Sequence, residues 1–274
     1  MRLVCLLFHD VFMRRAEESG FVSQAANRYK LSLNEFDRQL ESLAELGATP
    51  SLIDVLNESG ALDDSDGADP TGPLRFVFTF DDGGLSYYTL VADRFEARGW
   101  RGHCFVPTDF IGKRGFLSAS ELRDLDKRGH TIGTHSASHP ARFSHLPPER
   151  MRAEWSKSRK TLEDILGHRV RIGSVPGGYF SNLVAASAGD SGLHILMTSE
   201  PVTWTRSINR CMVTGRFAVR CGAPADRARK FVMTAPWARA NAWAGWNAKG
   251  LFKPILGSSY SRIADWVHSH LAPL

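Results

Sequence analysis

Short apolar runs rich in β-branched and aromatic residues alternate along the chain with longer stretches of helical period. A parallel sheet with crossover helices produces that alternation. The pattern predicts strands over Leu3–Phe8, Arg75–Phe80, Gly102–Val106, His130–Thr134, Arg171–Val175, Leu193–Thr198 and Met212–Val219. It predicts helices over Leu33–Leu46, Ser86–Arg98, Ser118–Arg128 and Pro148–Leu166, with a last one around Ser259–His270. In the first helix Leu33, Phe36, Leu40, Leu43 and Leu46 share one face and Gly47 supplies the stop; Gly99, Gly129 and Gly167 punctuate the next three in the same way. Residues 57–73, NESGALDDSDGADPTGP, break the pattern and read as an acidic surface loop. They do not form a calcium loop, because placing Gly67 at the sixth position puts Leu62 first and Pro73 twelfth, where carboxylates are required.

A chain of 274 residues is long enough for one large domain spanning 1–274. No apolar run approaches the roughly 18 residues needed to cross a bilayer. Leu3–Phe8 is too short, and too soon followed by His9 and Asp10, for a secretory leader, so a cytoplasmic location is expected. Cys5, Cys104, Cys211 and Cys221 lie far apart with no CxxC pair, which fits small, buried, reduced thiols. The net charge of +5 is unevenly placed. From Pro201 onward eleven Lys or Arg face only Asp226 and Asp265, a balance of +9, and five of the seven tryptophans lie there: Trp204, Trp237, Trp243, Trp246 and Trp266. This basic, Trp-rich segment, 201–274, suits an anionic substrate or an acidic membrane face. Peripheral membrane contact is a reading for Pro236–Pro254, where Trp243 and Trp246 are three apart on one face, and a solvated basic face over a Trp-containing core accounts equally for the composition. Neither standard phosphate-cradling glycine loop is present, and no nucleic-acid partner is expected.

The chemistry concentrates in two stretches. In FTFDDGG, Phe78 to Gly84, a strand gives way to Asp81 and Asp82, and the glycines let the backbone turn so that both carboxylates can face one site above the sheet edge. Carboxyl ends of strands are where α/β proteins place ligands. One aspartate could cap the following helix, which leaves the second unexplained. Further along, HSASH carries His135 and His139 at a spacing that puts both imidazoles on one face of a helical turn. A lone histidine is usually structural, but this pair beside a strand terminus is a metal geometry, and a third, harder ligand points back to the aspartates. A divalent cation, with zinc the best match to these ligands, would offset the repulsion between the neighbouring carboxylates.

TFDDG followed by HSASH resembles the first two motifs of the polysaccharide deacetylases, the NodB-like enzymes of carbohydrate esterase family 4, over roughly Leu3 to Pro201. The resemblance implies an α/β fold, a distorted (β/α) barrel of about seven strands. It implies Asp81 as general base and Asp82, His135 and His139 as ligands of one divalent ion. It implies removal of an N-acetyl or related N-acyl group from an amino sugar, with an N-acetylated sugar or glycan precursor as partner. The third motif would be SVPGGYF, so that Pro176, Gly177, Gly178 and Tyr179 face substrate, with the Gly177 N–H as oxyanion donor. Two departures stand out. The family's motif arginine is replaced by Ser174, leaving Arg171 or Arg216 as substitutes, and the late histidine that serves as general acid has no match, leaving His9 and His194 as candidates by type. A catalytically inactive, metal-containing glycan-binding protein of the same fold is the alternative reading.

Overall fold

The computed structural model describes residues 2–53, 74–233 and 236–256; the predicted loop 57–73 and the predicted helix Ser259–His270 lie outside them. The described strands are β1 (Arg2–Phe8), β2 (Val11–Phe12), β3 (Leu31–Ser32), β4 (Leu74–Phe80), β5 (His103–Val106), β6 (Thr131–Thr134), β7 (Ile172–Ser174), β8 (Ile195–Met197), β9 (Thr205–Ile208), β10 (Cys211–Thr214) and β11 (Phe217–Ala218). The main sheet runs β11-β1-β4-β5-β6-β7-β8-β10-β9, and every pairing in it is parallel except β10 with β9. Only Gly215 and Arg216 separate β10, beside β8, from β11, beside β1. Two residues cannot cross an open sheet of this width, so the sheet curls until its edges meet, as the expected distorted barrel requires.

The single strand predicted over Met212–Val219 is therefore two, broken where the chain steps across that seam. Edge strand β9 was not anticipated, because TRSI has neither an apolar run nor clean alternation. Parity along the strands sorts the core. Val4, Leu6 and Phe8 of β1 and Phe76, Phe78 and Phe80 of β4 pack outward in one cluster with helical residues, while Leu3, Cys5, Val77, Phe105, Ile195 and Met197 form a second, inside the curl.

Most predicted helices are present. α1 (Leu33–Ala44) starts on a reciprocal cap in which Ser32 Oγ accepts from the Glu35 N–H and Glu35 Oε2 accepts from the Ser32 N–H; Phe36, Leu40 and Leu43 are buried. The predicted helix Ser86–Arg98 is a π turn, Tyr87–Val91, running into α2 (Ala92–Glu96). α3 (Ala119–Lys127) repeats the cap with Ser118 and Glu121, and α4 (Pro148–Leu166) ends on left-handed Gly167 as expected. α5 (Asn182–Asp190), α6 (Arg227–Val232) and α7 (Pro236–Leu256) follow, and a single helical turn, Gln24–Asn27, precedes α1. No helix among the described residues is long and apolar enough to cross a membrane.

Two buried charges anchor the segment between β1 and α1 at the carboxyl edge of the sheet. Lys30 Nζ donates to the carbonyls of Ala16, Ser19 and Phe21 at 2.7, 2.6 and 2.8 Å. Asp10 Oδ1 accepts from Ser19 Oγ at 2.5 Å and from Ser86 Oγ at 2.7 Å. A methyl group at Gly84 would fall on that same oxygen, so the second glycine of the DDGG turn is required by close approach. Burial pushes the Asp10 carboxyl up to about 6, against the two hydroxyl bonds and the charge of Lys30. In the unfolded chain the same group ionises near 3.8. The folded state therefore holds a proton that the unfolded state has released, and this contribution to stability falls as pH rises from about 4 through 6. Asp10→Asn removes the dependence. Urea unfolding at pH 4 and pH 7 should show the variant gaining about 2 to 3 kcal/mol relative to wild type over that interval; parallel stability curves would contradict the assignment.

Candidate active site and metal centre

Asp81 continues the inward parity of Val77 and Thr79 and is buried just beyond β4. Asp82 is itself left-handed, with φ 74°, so the turn begins one residue before the glycines, and this non-glycine outlier brings the second carboxylate to the same side. The two histidines do not share a helical turn as their spacing suggested. They sit on an irregular loop after β6 in which Ser136 and His139 are left-handed, with φ 64° and 53°. Glu154 of α4 holds that loop, accepting the N–H groups of Ala137 and Ser138 at 3.0 and 2.7 Å and the Ser138 hydroxyl at 2.7 Å.

Asp82 Oδ1 lies 3.5 Å from His135 Nε2 and 3.3 Å from His139 Nε2. One ligand atom from each of the three residues can be chosen so that all lie within 4.8 Å of one another. The hydrogen bonds fix the tautomer of His135. Its Nδ1 lies 3.1 Å from the Ser174 carbonyl, which can only accept, so Nδ1 carries the hydrogen. Nε2 then faces a carboxylate lone pair to lone pair unless a cation stands between them. That mismatch, and a set of two imidazoles and one carboxylate, fit a divalent ion held by Asp82, His135 and His139. Burial alone would push the Asp82 carboxyl up, but the imidazoles of His135, His139 and His9 close to it outweigh that and hold it well below the usual range.

Asp81 has different partners. Arg216 grips it bidentately, Nη1 to Oδ1 and Nη2 to Oδ2, both at 2.7 Å, and Ser174 Oγ donates to Oδ1 at 3.0 Å. Arg216 is fully buried, and its Nε donates to the Thr198 carbonyl at the end of β8. Burial pushes the Asp81 carboxyl up, and the charge and hydrogen bonds of Arg216 overcome it, leaving the group below the usual range. The residue that replaces the missing motif arginine is thus Arg216. Arg171 lies at the opposite end of the barrel, where its carbonyl receives the N–H groups of His194 and Ile195. His194 precedes β8 at that same end, away from the aspartates. His9, one step past β1 on its inward parity, lies close enough to Asp81 and Asp82 to feel both charges; its Nδ1 is buried without a hydrogen-bond partner among the described residues. Burial lowers its pKa against those two carboxylates.

Pro176, Gly177 and Gly178 form a tight turn after β7, with both glycines left-handed. A side chain on Gly178 would meet Trp246 of α7 and Ser199, so the C-terminal helix backs the loop that ends in Tyr179. Glu154, Ser174 as a hydrogen-bond relay, and Arg216 are the site residues that sequence reasoning left without a settled role. Parity would have pointed to His9, but no local signal marks Glu154.

Residues 68–196 match the family described as Polysaccharide deacetylase, a segment that carries the Asp-His-His cluster at the carboxyl edge of the curled sheet. The chain is 23% identical over 125 residues to the polysaccharide deacetylase YxkH of Bacillus subtilis (strain 168), a span covering 46% of this chain and 44% of that protein. It is 28% identical over 127 residues to a chitin deacetylase of Pestalotiopsis sp, covering 46% and 42%. It thus spans less than half the length of these curated relatives. Among solved structures, the Streptococcus pyogenes deacetylase PplD, crystallised with acetate, superposes with a TM-score of 0.63 at 16% identity, over 80% of this chain and 93% of that one, a likeness of fold.

Replacing Arg216 by Met strands a buried carboxylate and should lower stability by about 3 to 5 kcal/mol, whereas adding Asp81→Asn recovers much of the loss. The double-mutant cycle in urea checks this, and additive losses would show that the pair is not coupled. Metal analysis after dialysis should find one divalent ion per chain in wild type and none in His139→Ala; equal content in the two would exclude His139 as a ligand.

Proposed function

We propose that this protein is a metal-dependent hydrolase that removes an N-acetyl or closely related N-acyl group from an amino sugar, in the supply of precursors for an exopolysaccharide or O-antigen. The observation that carries this reading is the unequal engagement of two adjacent buried carboxylates: Asp82 faces two imidazoles, and Asp81 faces a guanidinium and a hydroxyl. A divalent ion on Asp82, His135 and His139, zinc being the best match to that donor set, would supply Lewis-acid charge against the negative charge that develops on the amide oxygen.

The remaining steps belong to the chain itself. Asp81, kept anionic by Arg216, takes a proton from the attacking water. Its Oδ2 is the receiving atom, since it carries one protein hydrogen bond while Oδ1 carries two. The Gly177 N–H donates to the tetrahedral oxyanion, and Pro176, Gly178 and Tyr179 shape the loop that presents it. The proton that Asp81 takes from the water passes to the departing amine through His9, a role supported by its place beside the carboxylates and by an Nδ1 with no hydrogen-bond partner among the described residues. The alternative of an inactive glycan-binding protein rests on the arginine missing at Ser174 and on the unmatched general acid, and the pairing of Arg216 with Asp81 speaks against the first of these grounds. A cytoplasmic site of action is supported by the free state of all four cysteines.

Acetate release from free, nucleotide-linked and polymeric N-acetyl sugars tests the proposal. Asp81→Asn should lower kcat about 10²- to 10⁴-fold with metal content retained. No release from any substrate by metal-loaded wild type, or an unchanged rate in the variant, would sink it.

A further inference from the structure

Next to the glycine turn the chain builds a feature that the catalytic steps leave unused. Phe180 follows Tyr179, and the Arg206 guanidinium lies over its ring at 5.3 Å and over the Trp204 ring at 5.1 Å. Strand β9 places this group at the reacting end of the barrel: it runs antiparallel to β10 with Thr205 opposite Thr214, level with the carboxyl edge from which Asp81 and Ser174 project. Trp204 is 46% exposed although it is one of the largest apolar side chains. Arg206 Nε is buried with no acceptor, and no carboxylate pairs with Arg206 among the described residues. The matched family segment ends at residue 196, so Trp204 and Arg206 belong to the part of the chain beyond it.

A guanidinium held between two aromatic faces has already lost most of its rotamer freedom and keeps a planar fork suited to a carboxylate or phosphate. An exposed indole face beside it offers the flat apolar surface on which a pyranose ring can stack. Trp204 and Arg206 belong to the segment 201–274, whose sequence balance of +9 favours anions.

We propose that Phe180, Arg206 and Trp204 form a subsite for an anionic group on the sugar or carrier next to the amino sugar in the active site. The shared chemistry is a planar or tetrahedral oxyanion, supplied by a uronic acid carboxylate or by the phosphate of a sugar-linked carrier. This deepens the deacetylase reading and rests on it.

The test measures binding without turnover, by tryptophan fluorescence. Three probes are compared: chitotetraose, a tetrasaccharide alternating N-acetylglucosamine with glucuronate, and UDP-N-acetylglucosamine. Wild type should bind at least one anionic probe about tenfold tighter than chitotetraose, the worth of one charge-assisted contact, with the preference weakened by salt. Arg206→Gln should abolish the preference, and Arg206→Lys, which keeps charge but loses the fork, should restore only part of it. Preference for the glucuronate probe alone assigns a carboxylate, and preference for the nucleotide sugar alone assigns a phosphate; either supports the subsite. Anionic probes bound no tighter than chitotetraose by wild type, or an equal weakening of all three probes by Arg206→Gln, would overturn it. A retained anion preference without acetate release from any substrate would count against the deacetylase reading and not against the subsite.

Discussion

The structure turns on one buried ion pair, Arg216 with Asp81. Arg216 occupies the two-residue step between β10 and β11, where the curled sheet meets itself, and from there it reaches β4 through Asp81 and Thr79 and β8 through the Thr198 carbonyl. A fully buried guanidinium is tolerable only if its charge is met and its donors are satisfied. The barrel meets that demand with Asp81, the carboxylate proposed as the base. Closure of the fold and the ionised state of Asp81 are therefore set together, and neither half of the pair can be buried stably without the other.

Around that pair the site is built from segments with independent supports. Glu154 braces the histidine loop from α4, Lys30 and Asp10 brace the segment that carries Phe21, and the Phe21 ring packs 4.6 Å from the His139 ring. Ser174 links the two halves of the site, lying 2.6 Å from His135 Nδ1 and donating to Asp81. A serine is what this geometry requires at the end of β7. The guanidinium arrives from the step between β10 and β11, so a small hydroxyl fits where a second arginine would bring a like charge into the same buried space.

Several expectations from the chain pattern carried through because they depend on local order. Parallel strands buried on both faces must be continuous apolar runs, so β1 and β4 were legible, and their parity places Asp81 inward. The capping boxes at Ser32 and Ser118 and the glycine stops are likewise local signals. The histidine spacing was legible as a metal signature but not as a conformation. The same separation of four residues is met by a loop with two left-handed residues, which only bracing from Glu154 makes stable.

The amino-acid sequence by itself determined the order of the central parallel strands and of the four helices α1 to α4, the paired carboxylates and the two histidines, because each is written in neighbouring residues whose periodicity and chemistry need no distant partner. Only the tertiary structure decided which of Arg171 and Arg216 meets Asp81, which of His9 and His194 lies beside the carboxylates, and that Trp204 and Arg206 stand beside Phe180 after the glycine turn. Those choices depend on how the sheet closes. Closure joins residues separated by most of the chain, and no local pattern encodes that proximity.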